Sequence, residues 1–319
     1  MRKNVLITAI GGDIAQGIAA ILRQSFPDWC LTGIDVHSRH AGSLFVHRFC
    51  EAPKASDPAY EHALKAVVDR DAIDLVIPMS EAELLLLASA GHSGLGGAHL
   101  LMANRLAIDV GADKLKTAQF LESIGVPAPW TALAENFAGQ KHLPCIFKPR
   151  RGAGSKAVYR CDTAEEVEFY RLRHADAIVQ ELLLPAEQEV TCGVYRSGEG
   201  RIAVLQLLRT LTGGFTGWAQ VIDEPEVFSQ CSRLAEALDL RGSINVQLRI
   251  TENGPRIFEI NPRFSSTVLM RHQMGFCDLV WSIQDLAGED VHFFSPAAGT
   301  TAVRVQGAQL LKPHSLEQA

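Results

Sequence analysis

The chain has 319 residues, of which 47% are hydrophobic, 21% charged and 7% aromatic. These proportions are typical of a globular protein and exclude a disordered, collagenous or coiled-coil chain, and the length suggests two to three domains. Lysine and arginine number 30 against 36 aspartates and glutamates, which leaves a formal net charge of −6. Because dedicated nucleic-acid binders carry an excess of positive charge, we expect no nucleic-acid partner.

The first hundred residues alternate between predicted strands and helices. Apolar runs and helical spacing predict strands at 5–9, 31–36 and 74–78 and helices over 14–22, 57–68 and 81–90. A glycine turn, Gly11-Gly12-Asp13, separates the first strand from the first helix, and Asp57 is the predicted N-cap of the second helix. This alternation predicts an α/β fold with a parallel sheet covered on both faces. We assign residues 1–107 to a Rossmann-like domain.

The rest of the chain is predicted to form two further parts and a tail. Residues 108–184 indicate a small α+β unit, in which Asp113 caps a helix and Thr163 with Glu166 forms a capping box. Residues 185–312 are predicted to be strand-rich, with one clear helix whose apolar face begins at Val227. Residues 313–319 are a polar tail without structural signal.

The cysteines and the apolar segments indicate the cellular compartment of the protein. The seven cysteines are scattered and include no Cys-x-x-Cys pair, so neither a disulfide framework nor a four-cysteine zinc site is indicated. The longest apolar stretch, residues 84–103, is interrupted by Gly91-His92-Ser93-Gly94 and cannot span a bilayer unbroken. We therefore expect a cytoplasmic protein that does not associate with membranes. A homodimer is the default expectation for its assembly.

The most informative segment is the predicted hairpin at residues 243–267. Apolar and polar residues alternate along its first strand, and Asn253-Gly254-Pro255 forms a turn before the return strand. A register in which paired residue numbers sum to 508 keeps the apolar face intact, because a slip by one residue would mix the two faces. This register sets Leu248 opposite Ile260, Gln247 opposite Asn261 and Arg249 opposite Glu259, and it requires an odd-length loop or a bulge.

The polar face of this hairpin carries oxygen ligands. Gln247, Glu259 and Asn261 would lie on one surface, and such ligands suit Mg²⁺ shared with the phosphates of a nucleotide. Arg263, two residues beyond Asn261, could clamp a phosphoryl oxygen. The alternative is the ordinary solvated face of an antiparallel hairpin.

This hairpin resembles the metal-binding segment of the ATP-grasp superfamily, particularly its carbamoyl-phosphate-synthetase-like branch. In that branch a glutamine on one strand and Glu-x-Asn-Pro-Arg on the next hold metals and phosphates. Further resemblances occur in the same order over residues 113–261. They are Asp113-Lys114 with the later Gly125-Val126-Pro127, Phe147-Lys148-Pro149 with the loop 152–156, and Gln180-Glu181-Leu182-Leu183 followed by Glu189.

The resemblance implies an ATP-grasp fold, with residues 1–107 as its pre-ATP-grasp domain, 108–184 as the lid and 185–312 as the metal-binding part. It implies ATP and Mg²⁺ (or Mn²⁺) as cofactors. The site residues that it implies are Lys114 and Lys148 for phosphate, Gly152, Gly154 and Ser155 in the mobile loop, Glu181, Leu182 and Leu183 for adenine, Glu189 for ribose, Gln247, Glu259 and Asn261 for metal, and Arg263 as a catalytic residue together with Lys148.

Two assignments stay open at this point. Glu187 is an alternative to Glu189, because the spacing from Glu181 is one residue longer than in the family. Arg209 could bind the γ-phosphate or form a structural salt bridge.

The chain also departs from the family. Ser265-Ser266-Thr267 stand where carbamoyl phosphate synthetase has a further arginine, for which Arg271 could substitute. Bicarbonate chemistry is therefore open as well.

The function implied by the resemblance is that of an ATP-dependent ligase. A small-molecule carboxylate, of an amino-acid-like kind, would be phosphorylated to an acyl phosphate, and an amine would then displace phosphate. One alternative is an enzyme that stops at the acyl phosphate. Others are an NAD-dependent oxidoreductase, which would use the glycine turn and Asp35 although Gly-x-Gly-x-x-Gly is absent, and a regulatory protein that binds ATP without turnover.

Overall fold

The structure is a computed structural model that describes residues 3–91, 94–137, 139, 142–152 and 157–310. The predicted tail, 313–319, lies outside these residues. The chain divides into two compact units. The first unit contains the described parts of Met1–Ala103, Arg263–Phe294 and Arg304–Ala319, and the second contains Asn104–Pro262 and Ser295–Val303. Our three sequence-based boundaries stay predictions.

The helices and strands follow one another in three stretches of the chain. The first stretch contains β1 (Asn4–Ile7), α1 (Asp13–Ser25), β2 (Cys30–Asp35), β3 (Arg48–Glu51), α2 (Tyr60–Arg70), β4 (Leu75–Ile77), α3 (Glu81–Ser89), β5 (Gly94–Leu95) and β6 (Ala98–Leu100). The second contains α4 (Arg105–Gly111), α5 (Lys114–Ser123), β7 (Thr131–Leu133), β8 (Cys145–Pro149), β9 (Tyr159–Cys161), α6 (Ala164–Arg171), β10 (Ala177–Glu181), β11 (Glu189–Arg196), β12 (Ile202–Thr212), β13 (Phe215–Ile222), α7 (Pro225–Ala237), β14 (Gly242–Thr251) and β15 (Gly254–Asn261). The third contains α8 (Val268–Gln273), α9 (Asp278–Leu286) and β16 (Thr301–Val303).

The first unit is built on a six-stranded sheet in the order β3-β2-β1-β4-β6-β5. Its strands pair in parallel except at the β5–β6 edge, which confirms the predicted parallel sheet. Both faces are buried, because Val5 packs into a core with α1 while Leu6 points into a core with α2. The predicted cap of α2 is wrong. Asp57 accepts a hydrogen bond from the N–H of Ala59 in a turn before the helix, and Ala59 occupies the N-cap.

Two short helices complete the first unit, in addition to the one clear helix that we predicted after residue 185. α8 contributes Val268, and α9 contributes Leu279 and Ile283, to the core beside α1. Neither helix has a side-chain cap, and α8 has only six residues. A helix this short shows too little periodicity to be recognised from sequence.

A buried ion pair links these two helices. Arg271 of α8 and Asp278 of α9 are 0% and 1% exposed, and their Nη2 and Oδ2 atoms are 2.7 Å apart. Arg271 Nη1 also donates to the hydroxyl of Ser265 at 3.1 Å. Arg271 is therefore bound by Asp278 and Ser265 inside the first unit. It was our candidate to replace the arginine that this chain lacks at Ser265-Ser266-Thr267.

Replacing Arg271 by methionine is expected to lower the free energy of unfolding by about 3–5 kcal/mol, because it leaves the Asp278 carboxylate buried without its partner. Urea unfolding of the two proteins measures this difference. Arg105→Met is the matched control, since the Arg105–Asp109 pair is exposed and contributes little. Equal midpoints for wild type and Arg271→Met would contradict the expectation.

The second unit contains two antiparallel sheets. A four-stranded sheet has the order β7-β10-β8-β9, and a six-stranded sheet has the order β15-β14-β11-β12-β13-β16. Phe147 and Val179 form the core of the smaller sheet together with Val167 of α6. The predicted capping box of α6 is confirmed, with Thr163 and Glu166 each bonding the other's backbone N–H. These sheets confirm the predicted α/β architecture with an antiparallel C-terminal part.

The predicted register of the β14–β15 hairpin is wrong. Gln247 lies opposite Glu259 rather than Asn261, and Arg249 lies opposite Arg256 rather than Glu259. The turn consists only of Glu252 and Asn253, because Thr251 already pairs with Gly254. We had predicted the turn at Asn253-Gly254-Pro255. A bulge shifts the pairing by one residue between Gln247 and Leu248, so that Gln247 pairs with Glu259 and Leu248 pairs with Ile257.

In the part of the chain that the structure describes, no helix is both long enough and apolar enough to cross a membrane.

Candidate active site

The polar face of the six-stranded sheet brings the three predicted metal ligands together. Gln247 and Glu259 are directly opposite each other on β14 and β15, and Asn261 follows Glu259 on the same face. The amide of Asn261 donates to Glu259 Oε1 at 3.2 Å. Thus the three side chains share a surface although the predicted register was off.

The chemistry of these side chains fits Mg²⁺ or Mn²⁺ only in part. One carboxylate and two amides supply oxygen atoms, which hard cations prefer. Within the described ranges no group of three or more His, Cys, Asp or Glu side chains could hold a metal by itself. The face therefore fits a cation whose remaining ligands come from phosphate and water.

Lys148 is buried in the smaller sheet, with 5% of its surface exposed. It lies on β8 opposite Ile178 of β10. Burial lowers its pKa to about 8, with Glu259 and Glu189 opposing the shift and Lys114 adding to it. Among the residues that the structure describes, its ammonium contacts the ring of Phe258, with Nζ 5.5 Å from the centroid. A desolvated cation beside the face of Gln247, Glu259 and Asn261 suits an anionic ligand.

Lys114 and its helix are tied to the start of the lid loop. Lys114 Nζ donates to the carbonyl of Gly152 at 2.7 Å, and its backbone N–H donates to the carbonyl of Arg150. Asp113 is the N-cap of α5, as predicted, and accepts hydrogen bonds from the N–H groups of Leu115 and Lys116. Lys114, in the first turn of this helix, therefore has a structural partner in the carbonyl of Gly152, which the sequence did not predict.

Two arginines at the start of the lid loop, Arg150 and Arg151, are engaged in ion pairs. Arg150 Nη2 lies 2.7 Å from the buried carboxylate of Asp113, and Arg151 Nη1 lies 2.7 Å from Asp176. Burial alone would raise the pKa of Asp113, but the hydrogen bonds and charge from Arg150, with the N–H of Lys116, hold it below its usual value.

The predicted loop residues are only partly described. Gly152 has φ +94°, a left-handed conformation that favours glycine, and no atom of the described residues lies within 4 Å of the position that a Cβ would take. The predicted Gly154 and Ser155 lie outside the described residues. Their role in holding phosphate stays a prediction.

The predicted adenine-binding segment ends β10. Glu181 accepts hydrogen bonds from the N–H of Trp130 at 3.2 Å and from Arg256 Nη1 at 3.3 Å. Leu182 follows it and is half-buried, whereas Leu183 is buried. The carbonyl of Leu183 accepts a 2.8 Å hydrogen bond from Arg249 Nη1. This segment is therefore attached through Arg249 to the six-stranded antiparallel sheet that contains β14.

Glu189 lies between two arginines on neighbouring strands. Its Oε1 atom is 2.7 Å from Arg209 Nη2 on β12, and its Oε2 atom is 2.6 Å from Arg249 Nη2 on β14. For Arg209, the salt bridge that we considered is thus the contact observed. The alternative ribose ligand, Glu187, is exposed in a short 3₁₀ turn.

Arg249 is a site residue that our sequence reasoning missed. It lies two residues from Gln247 and hence on the same face of β14. The alternation of polar residues along this strand was the signal that could have identified it. Our wrong register placed Arg249 beside Glu259 and so obscured its contacts with Glu189 and Leu183.

Arg263 belongs to the first unit. Its Nη1 donates to the carbonyl of Phe264 at 2.9 Å. Its predicted role at a phosphoryl group follows from its place two residues beyond Asn261 and stays a prediction.

Asp35 and His40 pack directly against the glycine turn of the first unit. Asp35 Oδ2 accepts a 2.8 Å hydrogen bond from the N–H of Gly11 and lies 3.8 Å from His40 Nε2. A Cβ at Gly11 would lie 2.5 Å from the His40 ring, so the close packing requires glycine. Asp35, the acid that an NAD site would use for ribose, thus serves to fix this turn.

Comparison with known proteins identifies the second unit. A family model for an ATP-grasp domain matches residues 111–267. The chain is 27% identical over 254 residues to a D-alanine–D-alanine ligase from Rhodococcus opacus (strain B4), covering 66% of this chain and 69% of that protein. It is 22% identical over 260 residues to a carbamoyl phosphate synthase large chain from Methanosphaerula palustris, covering 70% of this chain but only 24% of that one.

A solved structure shares the fold. The ADP complex of N5-carboxyaminoimidazole ribonucleotide synthetase is similar with a TM-score of 0.74 and 18% sequence identity, and the match covers 94% of this chain and 80% of that one. The similarity extends over nearly the whole chain, including the parallel-sheet unit. It confirms the ATP-grasp fold with a Rossmann-like N-terminal part.

Proposed function

Since this chain belongs to the ATP-grasp superfamily, we propose that it is an ATP-dependent ligase that joins a carboxylate to an amine. The observation that carries the proposal is the face on which Gln247, Glu259 and Asn261 meet. The relative from Rhodococcus opacus is a D-alanine–D-alanine ligase. That relationship supports small amino-acid-like substrates.

The reaction has two steps. A carboxylate oxygen of the first substrate attacks the γ-phosphorus of ATP, which forms an acyl phosphate and releases ADP. The amine nitrogen of the second substrate then attacks the acyl carbon, loses a proton and expels phosphate, which carries away the former carboxylate oxygen. The products are an amide, ADP and phosphate, and no protein nucleophile is required.

The metal-ligand face and the buried lysine have complementary tasks. Mg²⁺ or Mn²⁺ held by Gln247, Glu259 and Asn261 would neutralise charge on the phosphates. Lys148 supplies a fixed positive charge in a desolvated position, where it interacts with phosphate more strongly than in water. Arg263 adds a guanidinium that can bind two phosphoryl oxygens.

The remaining assignments concern nucleotide binding. We assign Lys114 with the loop containing Gly152, Gly154 and Ser155 to the phosphates, and the backbone of 181–183 to adenine. Glu189 is assigned to ribose and Arg209 to the γ-phosphate, which requires ATP to rearrange their ion pair. A homodimer and a cytoplasmic location belong to the same proposal.

A screen for ADP release tests this function. Wild-type protein with MgATP is mixed with single amino acids or small carboxylates and then with carboxylate–amine pairs, while ADP is measured by a coupled assay. We expect sustained release only when a carboxylate and an amine are both present. Release with a carboxylate alone would favour an enzyme that stops at the acyl phosphate. ATP binding without release across the panel would favour the regulatory protein, and substrate-dependent reduction of NAD without ATP would favour the oxidoreductase.

A further inference from the structure

The bulge in the β14–β15 hairpin changes which side chains face the proposed site. Gln247 pairs with Glu259, whereas the next residue, Leu248, pairs with Ile257, so Phe258 is the extra residue on β15. A bulge of this kind lets two successive side chains leave the usual alternation of faces. Phe258 and Glu259 consequently both accompany the polar residues of β14, while Ile257 stays in the core.

The ring of Phe258 is close to two cations from different sheets. Lys148 Nζ lies 5.5 Å and the Arg249 guanidinium carbon 5.9 Å from the ring centroid. Both distances fall within the range of a cation–π interaction. Arg249 is also bound by Glu189 and by the carbonyl of Leu183, whereas Lys148 has no such anchor among the described residues.

We propose that Phe258 is a positioning residue whose ring holds the ammonium of Lys148 in place for the phosphates of ATP. This inference rests on the proposed function, in which Lys148 binds phosphate. A lysine side chain has four rotatable bonds, and a buried one without a fixed partner would lose binding energy in ordering them. The aromatic face offers an attraction that leaves all three N–H groups available to a phosphate.

The charges around Lys148 favour this arrangement over an ion pair. Glu259 of β15 and Glu189 of β11 attract the ammonium, and Lys114 of α5 repels it. Glu189 is bound by Arg209 and Arg249, and Glu259 accepts a hydrogen bond from Asn261. A neutral ring attracts the lysine without consuming the carboxylate that the proposed metal requires.

Calorimetric titration of ATP (with Mg²⁺) and of adenosine tests the inference on wild-type protein, three single variants and a Lys148→Met background. Phe258→Leu removes the ring but keeps an apolar side chain, and Phe258→Tyr keeps a ring face. Phe169→Leu is the matched control, because Phe169 also holds a cation, with Arg173 3.5 Å from its centroid, on the exposed face of α6.

We expect Phe258→Leu to weaken ATP binding about threefold to thirtyfold while adenosine binding changes less than about twofold. Phe258→Tyr should restore the wild-type ratio of the two affinities, and Phe169→Leu should not alter it. In a Lys148→Met background, Phe258→Leu should have no further effect on this ratio.

Two results would overturn the inference. Equal weakening of ATP and adenosine would mean that the ring acts on the base, and an undiminished effect in the Lys148→Met background would mean that it acts on another group. Failure of the proposed function gives separate results: wild-type protein would bind no ATP, or it would bind ATP without releasing ADP in the substrate screen. Folding of Phe258→Leu is checked independently, by its circular dichroism spectrum and its urea unfolding midpoint, so that equal weakening of both ligands reports on binding.

Discussion

Replacing Glu259 by glutamine is expected to reduce ADP release by about 100-fold or more, with little loss of folded protein. Glu259 is the carboxylate of the face that it shares with Gln247 and Asn261. The substitution keeps the size and hydrogen-bonding capacity of the side chain, but it removes the negative charge that a divalent cation requires. A coupled ADP assay with the substrate pair from the screen measures the effect.

Glu252→Gln is the matched control for this experiment. Glu252 lies on the same hairpin, in the exposed turn between β14 and β15, away from the proposed ligands. We expect its ADP release to equal that of wild type. If Glu259→Gln retained wild-type turnover at saturating Mg²⁺, Glu259 would not be a ligand of the metal in the reaction.

Replacing Lys148 by methionine is expected to weaken ATP binding strongly and to stabilise the fold at the same time. The ammonium is nearly fully buried, which imposes a desolvation cost, whereas methionine fills similar space without charge. Below pH 8 the variant should unfold with a free energy higher than that of wild type by about 3 kcal/mol or less. Activity should fall about 100-fold, as when one transition-state donor is removed.

The sign of the pH dependence follows from the pKa of about 8 in the folded protein, against 10.5 for an ordinary lysine. Between these values the unfolded chain binds more protons than the folded one, so the wild-type free energy of unfolding rises with pH. The methionine variant lacks this rise, and its advantage should shrink from pH 8 to 10.5. Wild-type affinity for ATP should fall above pH 8, as the ammonium loses its proton.

Urea unfolding at pH 7 and pH 10 and ATP titrations measure these effects. Lys65→Met is the control, because Lys65 is exposed on α2 in the other unit. It should leave stability and its pH dependence as in wild type. A Lys148→Met protein that is less stable than wild type at pH 7 would show that burial of the charge is compensated by partners and would refute this explanation.

Local sequence patterns predicted several structural features correctly, although the capping rule failed at Asp57. Asp113 and the Thr163–Glu166 pair lie at the helix starts that capping rules predict. The alternation around Gln247 and Glu259 placed both side chains on one face, because a strand exposes every second residue. These patterns predicted the α/β alternation and the polar face of the hairpin, whereas the ATP-grasp fold was implied by the resemblance of the motifs to that superfamily.

The parts that could not be predicted depend on residues far apart in the chain. The hairpin register depends on a two-residue turn and a bulge, and alternation alone did not reveal that Phe258 is the extra residue. Arg150 meets Asp113 37 positions earlier, and Arg249 meets Glu189 60 positions earlier. Sequence spacing carries no information on such pairs, so the sequence alone did not reveal the ion pairs of Arg150 and Arg249.

The most direct test of the proposed ligation follows an oxygen atom. The carboxylate substrate identified by the screen is labelled with ¹⁸O, turned over with MgATP and the amine, and the released phosphate is analysed by mass spectrometry. An acyl-phosphate pathway predicts that one ¹⁸O atom from each carboxylate appears in the phosphate. Phosphate without the label, formed at the same rate as the amide, would contradict the central claim that the carboxylate attacks ATP.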